Sequence, residues 1–253
     1  MFYKYKKMKA KFLAASLLII ASCSPKAGWT PAELAIIANP IAGTATVLAT
    51  GPAATDSAVS GTAAASPEIL RVLTIEDAAD SLILRTPCAD FTPEMLTSPE
   101  YQALAKLMVS TVTDPSEDGV GIAGPQVGIS RRIVAVQRFD KPGEPFEVYP
   151  NVRIVGRRGE LCSGPEGCLS VPGRRGNVLR YRDIDIQYTL IPSSAYADGA
   201  SATSNGARVS GALRDTTERI QGFTAVIFQH ECDHLDGVLY IDKVIPGSLQ
   251  ERD

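Results

Sequence analysis

The chain has only two histidines among its 253 residues, and they stand four apart, as His230 and His234, with Glu231 beside the first. Within residues 229–237, QHECDHLDG, this is an H-E-x-x-H pattern. On a helix, residues four apart lie on one face about a turn from each other. Both imidazoles can then reach one metal ion, while the glutamate reaches a water held by that ion. The pattern therefore demands a helix here, turned with its histidine face inward. Phe223, Ile227, His230 and His234 recur at i, i+4, i+7 and i+11, which predicts one inward face on a helix over 222–235. A chance pair on a polar helix face is the competing reading, and the glutamate between the histidines argues against it.

A hydrolytic metal site usually has three protein ligands and one open position. Asp233 and Asp236 are close in sequence, although Asp233 adjoins His234 and should point elsewhere around the helix. Cys168, in the EGCLS segment at 166–170, is a thiolate candidate in a Gly-rich turn. A free cysteine taken alone is more often a small buried hydrophobe. A third segment, GVGIAGPQ at 119–126, carries a G-x-G run. It lacks the third, helix-opening glycine of a dinucleotide site.

Elsewhere the pattern is that of one folded domain. Leu104, Leu107, Met108 and Thr111 predict an amphipathic helix over 101–112, broken by 114–119. RIVAVQ at 132–137 reads as a short apolar strand, and 147–155 as a second extended stretch interrupted by Pro150. Ile184, Ile186, Tyr188 and Leu190 alternate along a half-buried strand over 183–190. Residues 193–210 read as a long mobile hairpin loop. Strands followed by a helix, without regular βαβ alternation, argue an α+β fold, with small mixed or antiparallel sheets packed around the central motif helix.

A chain of this length, 45% hydrophobic, can bury one good-sized core or a core plus appendages. Its formal net charge of −3 gives no reason to expect nucleic acid as a partner. The N-terminus differs from the rest. Lys4, Lys6, Lys7, Lys9 and Lys11 precede an apolar run at 12–21 and then Ser22-Cys23, which describes an export signal too short to span a bilayer. Residues 20–23 resemble the lipobox of bacterial lipoproteins, in which the signal is cut before a cysteine that is then lipidated. The alternatives are an uncleaved anchor or a misassigned start, and starting at Met8 would leave the signal intact. Nothing further along is long and apolar enough to cross a membrane. Residues 29–37 suit a short helix, whereas 42–66 are Ala, Gly, Thr and Ser with a single charge at Asp56. That composition reads as a flexible tether letting the domain stand off the membrane. The expected division is a signal at 1–22, a tether at 23–67 and a catalytic domain at 68–253, placed on a bacterial membrane facing away from the cytoplasm.

Taken in order, the three motifs resemble those of the peptide deformylase family: G-x-G-x-A-x-x-Q, E-G-C-x-S, and H-E-x-x-H preceded by Gln. The resemblance covers roughly 69–244. It implies Cys168, His230 and His234 as metal ligands and Glu231 as acid and base. It also implies Gln126 and the backbone N–H of Leu169 as donors to a developing oxyanion. Arg175 matches a family arginine that pairs with Glu166, with Arg174 as its neighbour, and Gly119 and Gly121 let backbone approach the substrate closely. The implied reaction turns an N-formylmethionyl peptide and water into formate and the free peptide. The implied cofactor is one divalent ion, Fe2+ by resemblance, with Zn2+ or Ni2+ able to occupy the same soft ligand set. Exposure to oxygen outside the cytoplasm would favour Zn2+.

Three features depart from the family pattern: Gly124 where alanine is common, a long 193–210 segment, and an export signal on an enzyme whose usual substrate emerges in the cytoplasm. The signal keeps two alternatives open, an exported amidase for other formylated or acylated peptides and a non-catalytic lipoprotein binding module. Intact Gln126, Cys168 and Glu231 argue against the second. Cys88, Cys162 and Cys232 lack zinc-finger spacing, with Cys232 expected to face the core. A Cys162–Cys168 disulfide would consume a ligand, so Cys168 is expected to stay metallated. Oligomeric state is not legible.

Overall fold

Ser98 opens the long helix of the domain: its Oγ accepts from the Tyr101 N–H at 3.3 Å, and Pro99 takes the first helical position. The resulting helix α4 (Pro99–Val112) buries Tyr101, Leu104, Leu107, Met108 and Thr111 along one face. This is the face predicted from their spacing. The computed structural model describes residues 28–42, 68–192 and 212–251. The signal reading at 1–22, Cys23, nearly all of the 42–66 stretch and the 193–210 loop lie outside them.

Against α4 lies an antiparallel sheet of β3 (Gly121–Ala123), β4 (Ile133–Gln137) and β5 (Phe146–Pro150), in that order. The central strand, IVAVQ, is buried on both sides, which is why its sequence is apolar without alternation. Ile133 and Ala135 face the core under α4. Val134 and Val136 face a second core built on α5 (Gly222–Leu235). That second core is closed by the sheet β6 (Arg153–Cys168), β7 (Val171–Leu190) and β8 (Arg214–Gln221), also antiparallel, through Ile184, Ile186 and Ile220. Helix α5 thus lies between two sheets, in an α+β arrangement. Short helices α2 (Ala78–Leu84) and α3 (Pro93–Leu96) fill the periphery, and β9 (Gln250–Glu251) pairs with β7.

Several expectations need correction. The extended stretch over 147–155 is two strands, because Pro150 ends β5 and Asn151 turns the chain with φ +55°. The strand over 183–190 is the far end of a 20-residue β7, and beyond Ile186 the alternation fails, with Thr189 buried and Leu190 half-buried. Phe223 is not on the buried face of α5; it is 47% exposed.

The largest correction concerns the N-terminal boundary. Residues 28–42 fold onto the domain and are no part of a tether. Thr30 and Glu33 form a reciprocal capping box at the start of α1 (Pro31–Ala38). Trp29 and Ile37 enter the core under α4, where Trp29, Phe91 and Tyr101 stack edge to face with centroids 5.6 and 5.5 Å apart. Glu33, itself buried, accepts from Arg131 Nε at 2.8 Å. After α1, β1 (Ile41–Ala42) pairs antiparallel with β2 (Glu68–Ile69), so both ends of the 43–67 stretch are fixed to the domain. Among the described residues no helix is long and apolar enough to cross a membrane.

Candidate metal centre

Cys168 ends β6, just before the two-residue turn Leu169–Ser170 that leads into β7. His230 and His234 reach it from α5. One donor atom from each of the three residues lies within 4.8 Å of the others, and Cys168 Sγ is 3.2 Å from His234 Nε2. The other sequence candidates for a third ligand are engaged elsewhere. Asp233 accepts from Arg180 and Lys243, each at 2.6 Å, and Asp236 accepts from Arg132 at 2.7 Å.

The cluster is oriented from behind. His230 Nδ1 meets Glu166 Oε2 at 2.9 Å, which turns its other nitrogen toward the cysteine and His234. Glu166 in turn takes a two-pronged contact from Arg180, at 2.7 and 2.9 Å. This corrects the expected Glu166–Arg175 pair. Between Arg175 and Arg180 of β7 the buried residues are Gly176, Val178 and Arg180, while Arg175, Asn177 and Leu179 are exposed. Arg180 therefore shares the inner face with the buried Glu166, and Arg175, five residues earlier, is on the other face. Burial works against charge on Glu166, but the bonds from Arg180 and His230 outweigh it and hold its pKa at about 2.

Burial also disfavours charge on His230, yet Cys168 and Glu166 overcome it and raise its pKa well above the ordinary value. Burial, with His230 alongside, drives His234 well below it and keeps that ring neutral. A sulfur and two imidazoles converging on one point suit a divalent ion.

Glu231 lies beside the cluster, 3% exposed, and its Oε2 has no hydrogen-bond partner. Burial raises its pKa to about 7, against the opposing pull of His230. A Cβ at Gly121 would stand 2.6 Å from Glu231 Oε1 and 2.8 Å from Ile227 Cγ2. Position 121 must be glycine for the carboxylate to lie where it does. At Gly119 a Cβ would press on Val112 and Leu169 at 2.9 and 3.2 Å. Gly124, too, has a reason: a Cβ there would meet the carbonyl oxygens of Arg131 and Ile129 at 2.6 and 2.7 Å.

Gln126 sits on a 3₁₀ turn after β3. Its Oε1 accepts from the Ala123 N–H at 2.8 Å, so its Nε2 faces Ser170 Oγ at 3.2 Å and Cys168 Sγ at 3.5 Å. Cys232 is buried in the α5 core as expected. Cys162 is exposed six residues before Cys168 on the same strand, roughly 20 Å away at extended spacing, so no disulfide can join them.

Above these groups opens a cleft of about 410 Å³. Asp118–Gly121, Glu166–Leu169 and the α5 residues Phe223, Val226, Ile227, His230 and Glu231 line it. Val120, Leu169, Phe223, Val226 and Ile227 make part of its wall apolar, and Arg174 and Arg175 stand in the lining as well. The sequence reading missed Arg180, whose signal is its parity with the buried residues of β7. It also missed Val226 and the role of Phe223, which helical spacing alone assigns to the core.

A family model described as polypeptide deformylase matches residues 69–197 and 211–249. Peptide deformylase 2 of Nostoc sp. is 41% identical over 149 residues, spanning 56% of this chain and 71% of that protein. A peptide deformylase of Leptospira biflexa is 34% identical over 171 residues, 64% of this chain and 82% of its own. Among solved structures, the class I type b peptide deformylase of Acinetobacter baumannii with Met-Ala-Ser bound superposes with a TM-score of 0.53 and 31% identity. It covers 70% of this chain and 98% of its own. The Thermotoga maritima peptide deformylase gives 0.53 and 28%, covering 70% and 99%.

Proposed function

The chain belongs to the polypeptide deformylase family, and on that premise we propose that it hydrolyses the formamide of N-formylmethionyl peptides on one divalent ion held by Cys168, His230 and His234. The observation that carries this reading is the convergence of those three donors beside Glu231, whose Oε2 has no hydrogen-bond partner, with Cys168, His230 and Glu231 lining a part-apolar cleft. An ion bound there supplies Lewis acidity, polarising a carbonyl and bringing the pKa of water toward neutrality.

The remaining chemistry falls to the chain's own groups. Glu231 accepts the proton of the attacking water and returns it to the amine nitrogen as the C–N bond breaks, releasing formate. Gln126 Nε2, its amide fixed by Ala123, and the backbone N–H of Leu169 donate to the carbonyl oxygen as it becomes negative. One such donor is typically worth about 3–4 kcal/mol. Glu166, backed by Arg180, holds the His230 ring in position. Val120, Phe223, Val226 and Ile227 offer an apolar wall to the methionine side chain. Cysteine with two histidines suits Fe2+, Zn2+ or Ni2+. Family resemblance favours Fe2+, and an oxygen-exposed location favours Zn2+.

The test is turnover of formyl-Met-Ala-Ser against acetyl-Met-Ala-Ser by the metal-loaded chain, with Glu231→Ala alongside. The formyl peptide should be cleaved and the acetyl peptide spared. Glu231→Ala should keep its metal while losing about 10²–10⁴-fold in rate. A metal-loaded Glu231→Ala protein at near wild-type rate would mean that the base lies elsewhere.

For location, the five lysines, the apolar run and Cys23 support a lipidated protein on a bacterial membrane, facing away from the cytoplasm. Fractionation with and without Cys23→Ala, with the intact mass of the mature chain, decides it. Unprocessed wild-type protein in the soluble cytoplasm would restore a nascent-chain role.

A further inference from the structure

Two adjacent arginines in the cleft lining, Arg174 and Arg175, have no assigned work. Both are exposed, and among the described residues neither forms an ion pair. Glu166 is taken by Arg180 and His230, Glu231 is buried, and Glu251 stands opposite Arg174 in the β7–β9 pairing without forming an ion pair with it. Arg175 also passes close to Gly167. A Cβ at Gly167 would be 3.5 Å from its Cγ and 3.6 Å from its Nε, so its stem packs on the residue next to Cys168. An exposed arginine is ordinarily a solvated surface charge. Two in the lining of one substrate cleft, one passing beside the residue next to Cys168, amount to a positive subsite.

We infer that Arg174 and Arg175 bind a carboxylate carried downstream of the formylated methionine, so that the preferred substrates are N-formyl peptides with an acidic residue shortly after that methionine. The inference rests on the reading of this cleft as a deformylase site. The guanidinium fork matches a carboxylate in two-pronged geometry, and complementary charge at a cleft mouth raises encounter rate as well as selectivity. Asp118 also lines the cleft, so a basic side chain would find one exposed acidic partner there against two repelling charges.

The experiment compares formyl-Met-Ala-Glu, formyl-Met-Ala-Gln and formyl-Met-Ala-Lys, all with amidated C-termini, on the metal-loaded full chain at low and high salt. In parallel, binding of the deformylated products Met-Ala-Glu and Met-Ala-Lys, also amidated, is measured by calorimetry. We expect kcat/KM to favour Glu over Lys by about tenfold at low salt, mostly through KM, and to converge as salt screens the exposed charges. The double variant Arg174→Glu/Arg175→Glu should reverse the order, which damage to the fold would not do. Equal kcat/KM for the Glu and Lys peptides at low salt, or no reversal in the double variant, overturns the inference. Failure to cleave any formyl peptide would instead count against the deformylase reading, and the product affinities then decide: equal affinity for the Glu and Lys products overturns the inference, and tighter binding of Glu sustains it.

Discussion

At Gly121 one methyl group separates a working site from a distorted one. The Cβ of an alanine there would sit 2.6 Å from Glu231 Oε1, with Ile227 closing the other side at 2.8 Å, so the carboxylate would have to move. Displacing a reacting group by about an ångström can cost about 10²-fold in rate. Gly121→Ala should therefore lower kcat by about that factor while the metal content stays at one per chain, since no ligand is touched. Unchanged kcat would show that Glu231 tolerates the shift and is not the positioned base. At this scale the sequence was most legible where spacing encodes geometry. His230 and His234 share one face because they are four apart on α5, whereas Cys168 stood level with Asp233 and Asp236 as a third ligand until the family resemblance singled it out. It was least legible for Arg180, because choosing between arginines five apart requires knowing which parity of β7 faces inward, and that follows only from pairing with β6.

Among elements, α1 is secured by a titratable lock. Burial works against charge on Glu33, but the bonds from Arg131 and Thr30 outweigh it and lower its pKa below the ordinary 4.5. A carboxyl with a lowered folded pKa contributes stability that is fully present above its unfolded value and is lost as the pH falls through the folded value. The docking of α1 should thus hold at neutral pH and loosen below about 4.5. Trp29, the only tryptophan of the chain, reports on it directly, because it is buried against Phe91. Its emission should shift to longer wavelength on acidification before the far-ultraviolet signal of the domain is lost, and Glu33→Gln should show the shift already at neutral pH. Coincident loss of both signals would mean that α1 and the domain unfold as one. Elements with a clean hydrophobic period, α4 and α5, were legible, and so was the short apolar β4. The β6–β7 hairpin was not, because residues 157–163 of β6 are exposed on both faces and are held by strand pairing, not by a buried stripe.

For the whole molecule, composition misled at one place and for a definable reason. A run of Ala, Gly, Thr and Ser carries no information about where its two ends are fastened, and here both are fastened to the same domain, through α1 and the β1–β2 pair. Only five residue steps, from Cys23 to Gly28, would then separate a lipidated cysteine from the folded body, at most about 18 Å when fully extended. An anchored domain would ride close to the bilayer. The same connection should leave the particle intact after a break in its backbone between the two paired strands. If a site-specific protease sequence is inserted between residues 43 and 67 and cleaved, the two pieces should co-elute at neutral pH, and the larger piece should stay active in the membrane fraction. An active fragment that escapes into solution would show that α1 cannot hold alone. The link between such an anchor and the enzyme would then be a folded interface, one that acid opens and a protease does not.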